Sequence, residues 1–286
     1  MRLKPWTVTL ADTGNLHPHE QSIPQAVSRI AEDIAKKGRF IDPVIVDAET
    51  GLVIDGTHRV EAAMVLGLEK IPVYTVDYMS PRVVLAGWGR AASKNISSDE
   101  LKDYCSELGF TESRDIYDAW FIWSNGQSLK IKHQETLATE QVYGKLSMLE
   151  QRLKTLGITY VRDSDVEEVV KRGRHVFGYL LRPLRKEEVV SIAKHAYRLP
   201  PKSTRHIVDK RPMYINCPID ILRSGDAVEK FRKFVEEGVW VELGPGVELD
   251  RRYDEKIVVF YREDLSGLYP EKLLKLVKNS LKQTLR

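Results

Sequence analysis

The sequence predicts a mixed α/β protein, an N-terminal α/β core followed by a larger, helix-rich α/β region. Three observations carry that expectation. Helical periodicity alternates with short β-branched runs over the first ~80 residues. Glycine and proline punctuate the joins between those runs. The 286 residues are 42% apolar, enough to build a core and to exclude a disordered chain. At roughly 100–200 residues per domain, the length suits one large domain or two ordinary ones. A soft boundary between Met79 and Gly89 divides the chain into 1–82 and 83–286.

The elements follow in order. Pro24–Lys37 places Val27, Ile30, Ala31 and Ile34 on one helical face, with Ser22 as the expected N-cap, Pro24 in the first turn and Gly38 as the stop. Residues 43–47 and 52–54 are short β-branched runs around the turn Ala48-Glu49-Thr50-Gly51. A helix over 57–66, stopped by Gly67, and a strand over 70–77 complete the first domain. Beyond it, helices are expected over 97–108, 113–123, 136–156, 163–171 and 184–197. Val239–Leu243 and Lys256–Tyr261 read as strands flanking Gly244-Pro245-Gly246. A basic amphipathic helix over 268–285 closes the chain, its leucines packing inward and its lysines, with Arg286, in water.

Composition narrows the function. The 44 Lys+Arg against 41 Asp+Glu leave a net charge of +3, too small for a DNA-coating protein. No stretch approaches the ~18 apolar residues of a membrane span, and the first residues do not read as a signal peptide. Cys105 and Cys217 lack CxxC spacing, which excludes a disulfide scaffold or zinc knuckle and suits a reducing cytoplasm. His17 and His19 form only an HxH pair without a third ligand nearby, so no metal centre is expected there.

Chemistry concentrates in Val53-Ile54-Asp55-Gly56-Thr57-His58-Arg59, where a buried strand runs through a glycine turn into a helix. The first amides of a helix lack internal partners and carry the positive end of its dipole, so a phosphate can be held there. Gly56 permits close backbone approach, Thr57 offers a hydroxyl, and His58 and Arg59 add donors. Asp55 would repel a bare phosphate and suits Mg²⁺ or a substrate hydroxyl instead. The same residues also fit a plain alternative, in which Asp55 caps the helix and Arg59 forms a surface ion pair.

Asp55–Arg59, with Ala62-Ala63, Gly67-Leu68 and Ile71-Pro72-Val73 downstream, resembles the nucleotide-binding segment of the ParB/sulfiredoxin superfamily. Upstream, Leu16-His17-Pro18-His19-Glu20 and Gly38…Asp42-Pro43-Val44-Ile45-Val46 extend the resemblance to residues 14–78. Sulfiredoxins carry a nucleophilic cysteine where this chain has Thr57, and no helix-turn-helix of a partition protein follows residue 80. The chain most resembles the free L-serine kinases, in His19-Glu20, the Asp55–Arg59 turn, Trp88 and Pro200-Pro201-Lys202-Ser203-Thr204-Arg205-His206.

That resemblance implies an enzyme making O-phospho-L-serine for cysteine or related biosynthesis. ATP is the default donor, with ADP used by some relatives, and Mg²⁺ is held near Asp55. Glu20 accepts the serine proton, unless it only supplies charge at a helix N-terminus. Gly56, Thr57, His58 and Arg59 bind nucleotide. Lys202, Ser203, Thr204, Arg205 and His206 contact substrate, unless they form a solvated basic loop; Trp88 joins them, unless it fills core. Only small-molecule partners are expected, with neither nucleic acid nor membrane. The alternatives are a ParB-like nucleotide switch on DNA and a non-catalytic regulator.

Overall fold

The computed structural model describes residues 6–195, 197–249 and 252–284. They form two compact units, one of residues 6–18, 22–84 and 206–284, the other of residues 19–21 and 85–205.

In the first unit a five-stranded sheet runs in the order Thr7–Asp12, Lys70–Val76, Val44–Asp47, Leu52–Asp55, His17–Pro18. Val44–Asp47 lies parallel to Lys70–Val76, with Val44 opposite Val73, and antiparallel to Leu52–Asp55 across the expected turn. Gly51 closes that turn at φ +71°, where any side chain would run into the Asn15 carbonyl. Helix Pro24–Lys37 buries Val27, Ala31 and Ile34 and ends at Gly38, whose φ of +63° lets its N–H reach the Ile34 carbonyl. Its N-cap is Ile23 rather than Ser22, and no side chain caps it. Ser22 instead donates its hydroxyl to Glu61, a partner on the second helix, Thr57–Val65.

Residues 206–284, expected in the second domain, belong to this first unit. They supply a three-stranded sheet (Lys210–Met213, Lys256–Tyr261, Val239–Leu243) and the helices Ala227–Glu236 and Glu271–Thr284. Phe231, Phe234, Leu273 and Val277 bury into one core with Leu10, Ile34 and Phe40. Each such side chain contributes about 1.5–3 kcal/mol, so their amphipathic faces decide where the segment packs. Cys217–Pro218 also pairs antiparallel with Arg39–Phe40. Leu285 and Arg286, assigned by periodicity to the last helix, lie outside the described residues.

The second unit is built on a six-stranded antiparallel sheet in the order Ile158–Arg162, Trp88–Ala92, Phe177–Leu181, Ala119–Trp123, Ser128–His133, Phe110–Ser113. Residues 113–123, expected to be helical, instead contribute to two of these strands. The run Ala119-Trp120-Phe121-Ile122-Trp123 is aromatic and β-branched, a composition that packs better on a pleated surface than along a helix. Phe121, Trp123, Phe177 and Tyr179 make the aromatic centre of its core. The other expected helices form as Ser98–Glu107, Thr139–Leu153, Val166–Lys171 and Lys186–Lys194. Ser97 caps the first of them by accepting from the Glu100 amide.

Glu188 ties this unit together. Its carboxylate accepts from Arg182 Nη2 at 3.1 Å, Thr139 Oγ1 at 2.7 Å and the Arg185 amide at 2.8 Å. Burial alone would raise its pKa, but these donors outweigh burial and hold it at about 2. A carboxyl depressed by folding stabilises fully above the unfolded value near 4.5 and loses that contribution as pH falls towards 2. Urea titrations of the wild type at pH 7 and pH 3 should therefore differ by about 1–2 kcal/mol more than those of Glu188→Gln.

Candidate active site

The Asp55–Arg59 turn sits in the first unit, at the end of strand Leu52–Asp55. Gly56 is the N-cap of helix Thr57–Val65 at φ +106°, and no side chain caps that helix. Asp55 is thus not the cap. Its Oδ2 accepts from Arg59 Nη2 at 3.0 Å and from Arg211 Nη1 at 2.6 Å, while its side chain stays 41% exposed. Arg59 also donates from Nη1 to the Asp42 and Pro43 carbonyls at 3.1 and 3.0 Å. The guanidinium therefore folds back beneath Gly56 and braces the turn. His58 Nε2 accepts from the Ile23 amide at 3.0 Å, which puts the proton of a neutral ring on Nδ1 as a donor.

Three further groups, none of them among the expected site residues, shape this end of the unit. Arg211, only 9% exposed, bridges Asp55 to Glu255, with Nε 2.5 Å from the Glu255 carboxylate. Burial opposes its charge, but Asp55 and Glu255 outweigh burial and raise its pKa. Asp42 accepts from the Tyr214 amide at 2.8 Å; burial raises its pKa against the lowering pull of Arg59. A cleft of about 530 Å³ opens beside them. Gly56, His58, Arg59 and Arg211 line its polar part, and Ile30, Ile34, Phe40 and Met213 its apolar part.

Gly56 is the residue that this geometry tolerates least well as anything else. A Cβ there would lie 2.9–3.1 Å from the Arg59 guanidinium, on a backbone that L-residues rarely adopt. Gly56→Ala should destabilise the protein by about 1–3 kcal/mol, read as a lower urea midpoint at unchanged slope.

The second unit assembles most of the other candidates. Glu20 forms a parallel bridge with Leu199, the Leu199 amide donates to the His19 carbonyl at 2.8 Å, and the Gln21 amide donates to the Leu199 carbonyl at 2.8 Å. The Glu20 carboxylate, 19% exposed, accepts at Oε1 from the Thr204 amide and hydroxyl, both at 2.6 Å, and at Oε2 from the Lys202 amide at 3.2 Å. His19 Nε2 lies 2.8 Å from the same Thr204 hydroxyl. Ser203 donates its hydroxyl to the Pro200 carbonyl at 2.7 Å, shaping the loop rather than facing outward. Lys202 Nζ and the Arg205 guanidinium lie over the Trp88 ring, 4.7 and 5.8 Å from its centroid. Trp88 is half-buried and so not core filling. His206 belongs to the first unit, its Nε2 2.9 Å from the Tyr78 hydroxyl.

No family model matches the chain. Individual proteins do. The ATP-dependent L-serine kinase of Staphylothermus marinus is 28% identical, over 75% of this chain and 90% of that protein. A ParB-like protein of Sulfolobus acidocaldarius is 29% identical, over 67% and 86%. The ADP-dependent L-serine kinase SerK of Thermococcus kodakarensis is 23% identical, over 72% and 89%. Among solved structures, a free serine kinase in complex with AMP matches with a TM-score of 0.61 at 21% identity, covering 77% of this chain and 95% of that one. The fold is that of the free serine kinases. SbnI from Staphylococcus aureus, solved with a C-terminal truncation, matches with a TM-score of 0.67 at 18% identity, over 80% and 95%. The expected resemblance, to free L-serine kinases and to ParB-like proteins alike, is thus present among similar chains.

Proposed function

We propose that this chain is a kinase of free L-serine that transfers a phosphoryl group from an adenine nucleotide to the serine hydroxyl. The seat of Glu20 carries the reading: a carboxylate held by three donors from the Lys202–Thr204 loop, beside two cations stacked on Trp88. Phosphoryl transfer depends mainly on positioning and charge. Glu20 takes the hydroxyl proton as serine Oγ bonds to the transferred phosphorus. The bond from that phosphorus to the nucleotide's bridging oxygen breaks, and its electron pair leaves with the nucleotide. Lys202 and Arg205 supply positive charge for the serine carboxylate, and the Trp88 ring that both cations stack on completes the proposed substrate contacts. Gly56, Thr57, His58 and Arg59 hold phosphate oxygens at the start of their helix.

Among the described residues no three His, Cys, Asp or Glu side chains gather to cage a metal. Mg²⁺ commonly takes only one or two carboxylates and fills its shell with water and substrate phosphates, so the half-exposed Asp55 fits as its protein ligand. When bound, the ion would neutralise charge on the phosphates. ATP is the proposed donor, supported by the name of the Staphylothermus marinus relative. The proposed product, O-phospho-L-serine, would supply cysteine or related synthesis in the cytoplasm.

The test is incubation of purified protein with L-serine, Mg²⁺ and either ATP or ADP, followed by detection of phosphoserine. Phosphoserine formed with only one donor identifies that donor; none with either defeats the proposal. The ParB-like relative favours a second reading, a nucleotide-binding switch on DNA. Nucleotide-dependent retention of duplex DNA without phosphoserine would establish it instead.

A further inference from the structure

Arg90 lies on strand Trp88–Ala92, second from the edge of the second unit's sheet, and is 2% exposed. Its guanidinium reaches three acceptors. Nε donates to Glu150 Oε1 at 2.6 Å, Nη1 to the Trp88 carbonyl at 2.6 Å and Nη2 to the Lys202 carbonyl at 3.3 Å. The rings of Tyr160 and Tyr179 lie 5.5 and 5.9 Å from it, and the Tyr179 hydroxyl donates to the same Glu150 oxygen. A buried cation so fully engaged has no room to bind substrate. What it holds is more informative.

Lys202 has φ +67°, a conformation that a residue with a Cβ keeps only where its surroundings over-determine it. Its peptide groups are fixed on both sides: its amide donates to Glu20 Oε2, and its carbonyl accepts from Arg90. Arg90 therefore touches the backbone of both Trp88 and Lys202, the ring and the cation stacked on one another. Through Lys202 it is one residue removed from the Glu20 carboxylate.

We infer that Arg90 is a positioning residue, whose three-way fork sets the strained Lys202 turn and Trp88 so that Glu20 and the Trp88–Lys202 pair present one fixed geometry to the amino-acid substrate. This rests on the serine-kinase reading for its substrate, but not for the positioning itself. Sequence did not mark Arg90, because two of its three partners lie 60 and 112 residues away.

The test is Arg90→Lys, which keeps a cation beside Glu150 and the tyrosine rings but cannot form the fork. Its kcat/KM for serine, measured well below the melting transition, should fall by about 10–100-fold with an unchanged KM for nucleotide, while the melting temperature drops by only a few degrees. Amide hydrogen exchange over residues 199–205 should quicken in the variant, while exchange over 119–133 stays at the wild-type rate. Glu150→Gln is the companion variant, leaving Arg90 free to keep both carbonyl contacts, and should retain serine kcat/KM while losing thermal stability. Unchanged exchange over 199–205 in Arg90→Lys overturns the inference, as does uniform loss of stability without a change in serine kinetics. If the wild type makes no phosphoserine, the kinase reading fails on its own, and the exchange comparison still decides whether Arg90 fixes the loop.

Discussion

Glu20→Gln is expected to lower kcat for phosphoserine formation by about 10²–10⁴-fold, with little change in nucleotide KM. The substitution is nearly isosteric. A glutamine carbonyl at the Oε1 position can still accept from the Thr204 amide and hydroxyl, now 2.6 Å from the carboxylate. Its amide nitrogen would face the Lys202 amide, so one contact of 3.2 Å becomes donor against donor. That loss is small beside the removal of the only group in the proposal that accepts the serine proton. Melting temperatures should thus stay close while turnover collapses, and Glu20→Asp, one methylene shorter, should fall between the two. Wild-type turnover in Glu20→Gln would show that Glu20 shapes the 199–204 loop without acting as a base.

Parts of this architecture are legible in local pattern. The helix Pro24–Lys37 is, because Val27, Ala31 and Ile34 recur at helical spacing between a proline and a glycine. So is the Gly56 turn, since a positive φ at a strand-to-helix join demands glycine beside the first amides of the helix. Other parts are not. Ala119–Trp123 carries apolar residues at every position because both faces of its strand are covered, which erases the alternation that would mark it. The companions of Asp55 are less visible still. Arg211 reaches it across 156 residues, and nothing near Arg211 in sequence distinguishes it from a surface cation. Likewise the pairing of Glu20 with Thr204 spans 184 residues; resemblance to the serine kinases names both residues but not the contact between them. Local chemistry names the turn; only the fold supplies its counter-ions.

Those counter-ions make Asp55→Asn the more discriminating substitution. Asp55 serves two arginines through Oδ2, so the loss of its charge affects the brace and the proposed cation together. The brace should suffer modestly. The asparagine carbonyl still accepts from Arg59 and Arg211, and Arg211 keeps Glu255 at 2.5 Å. Weakening two charge-assisted hydrogen bonds in this way costs about 1–3 kcal/mol, which urea denaturation will read. Turnover should fall much further, by about 10²–10³-fold, and the Mg²⁺ concentration giving half-maximal rate should rise by about tenfold or more. Glu255→Gln separates the two roles: it weakens Arg211's second anchor but leaves the Asp55 carboxylate intact. It should reproduce the stability loss without the shift in Mg²⁺ dependence. If both variants shift that dependence equally, Asp55 acts through its arginines, and the metal belongs to the phosphates alone.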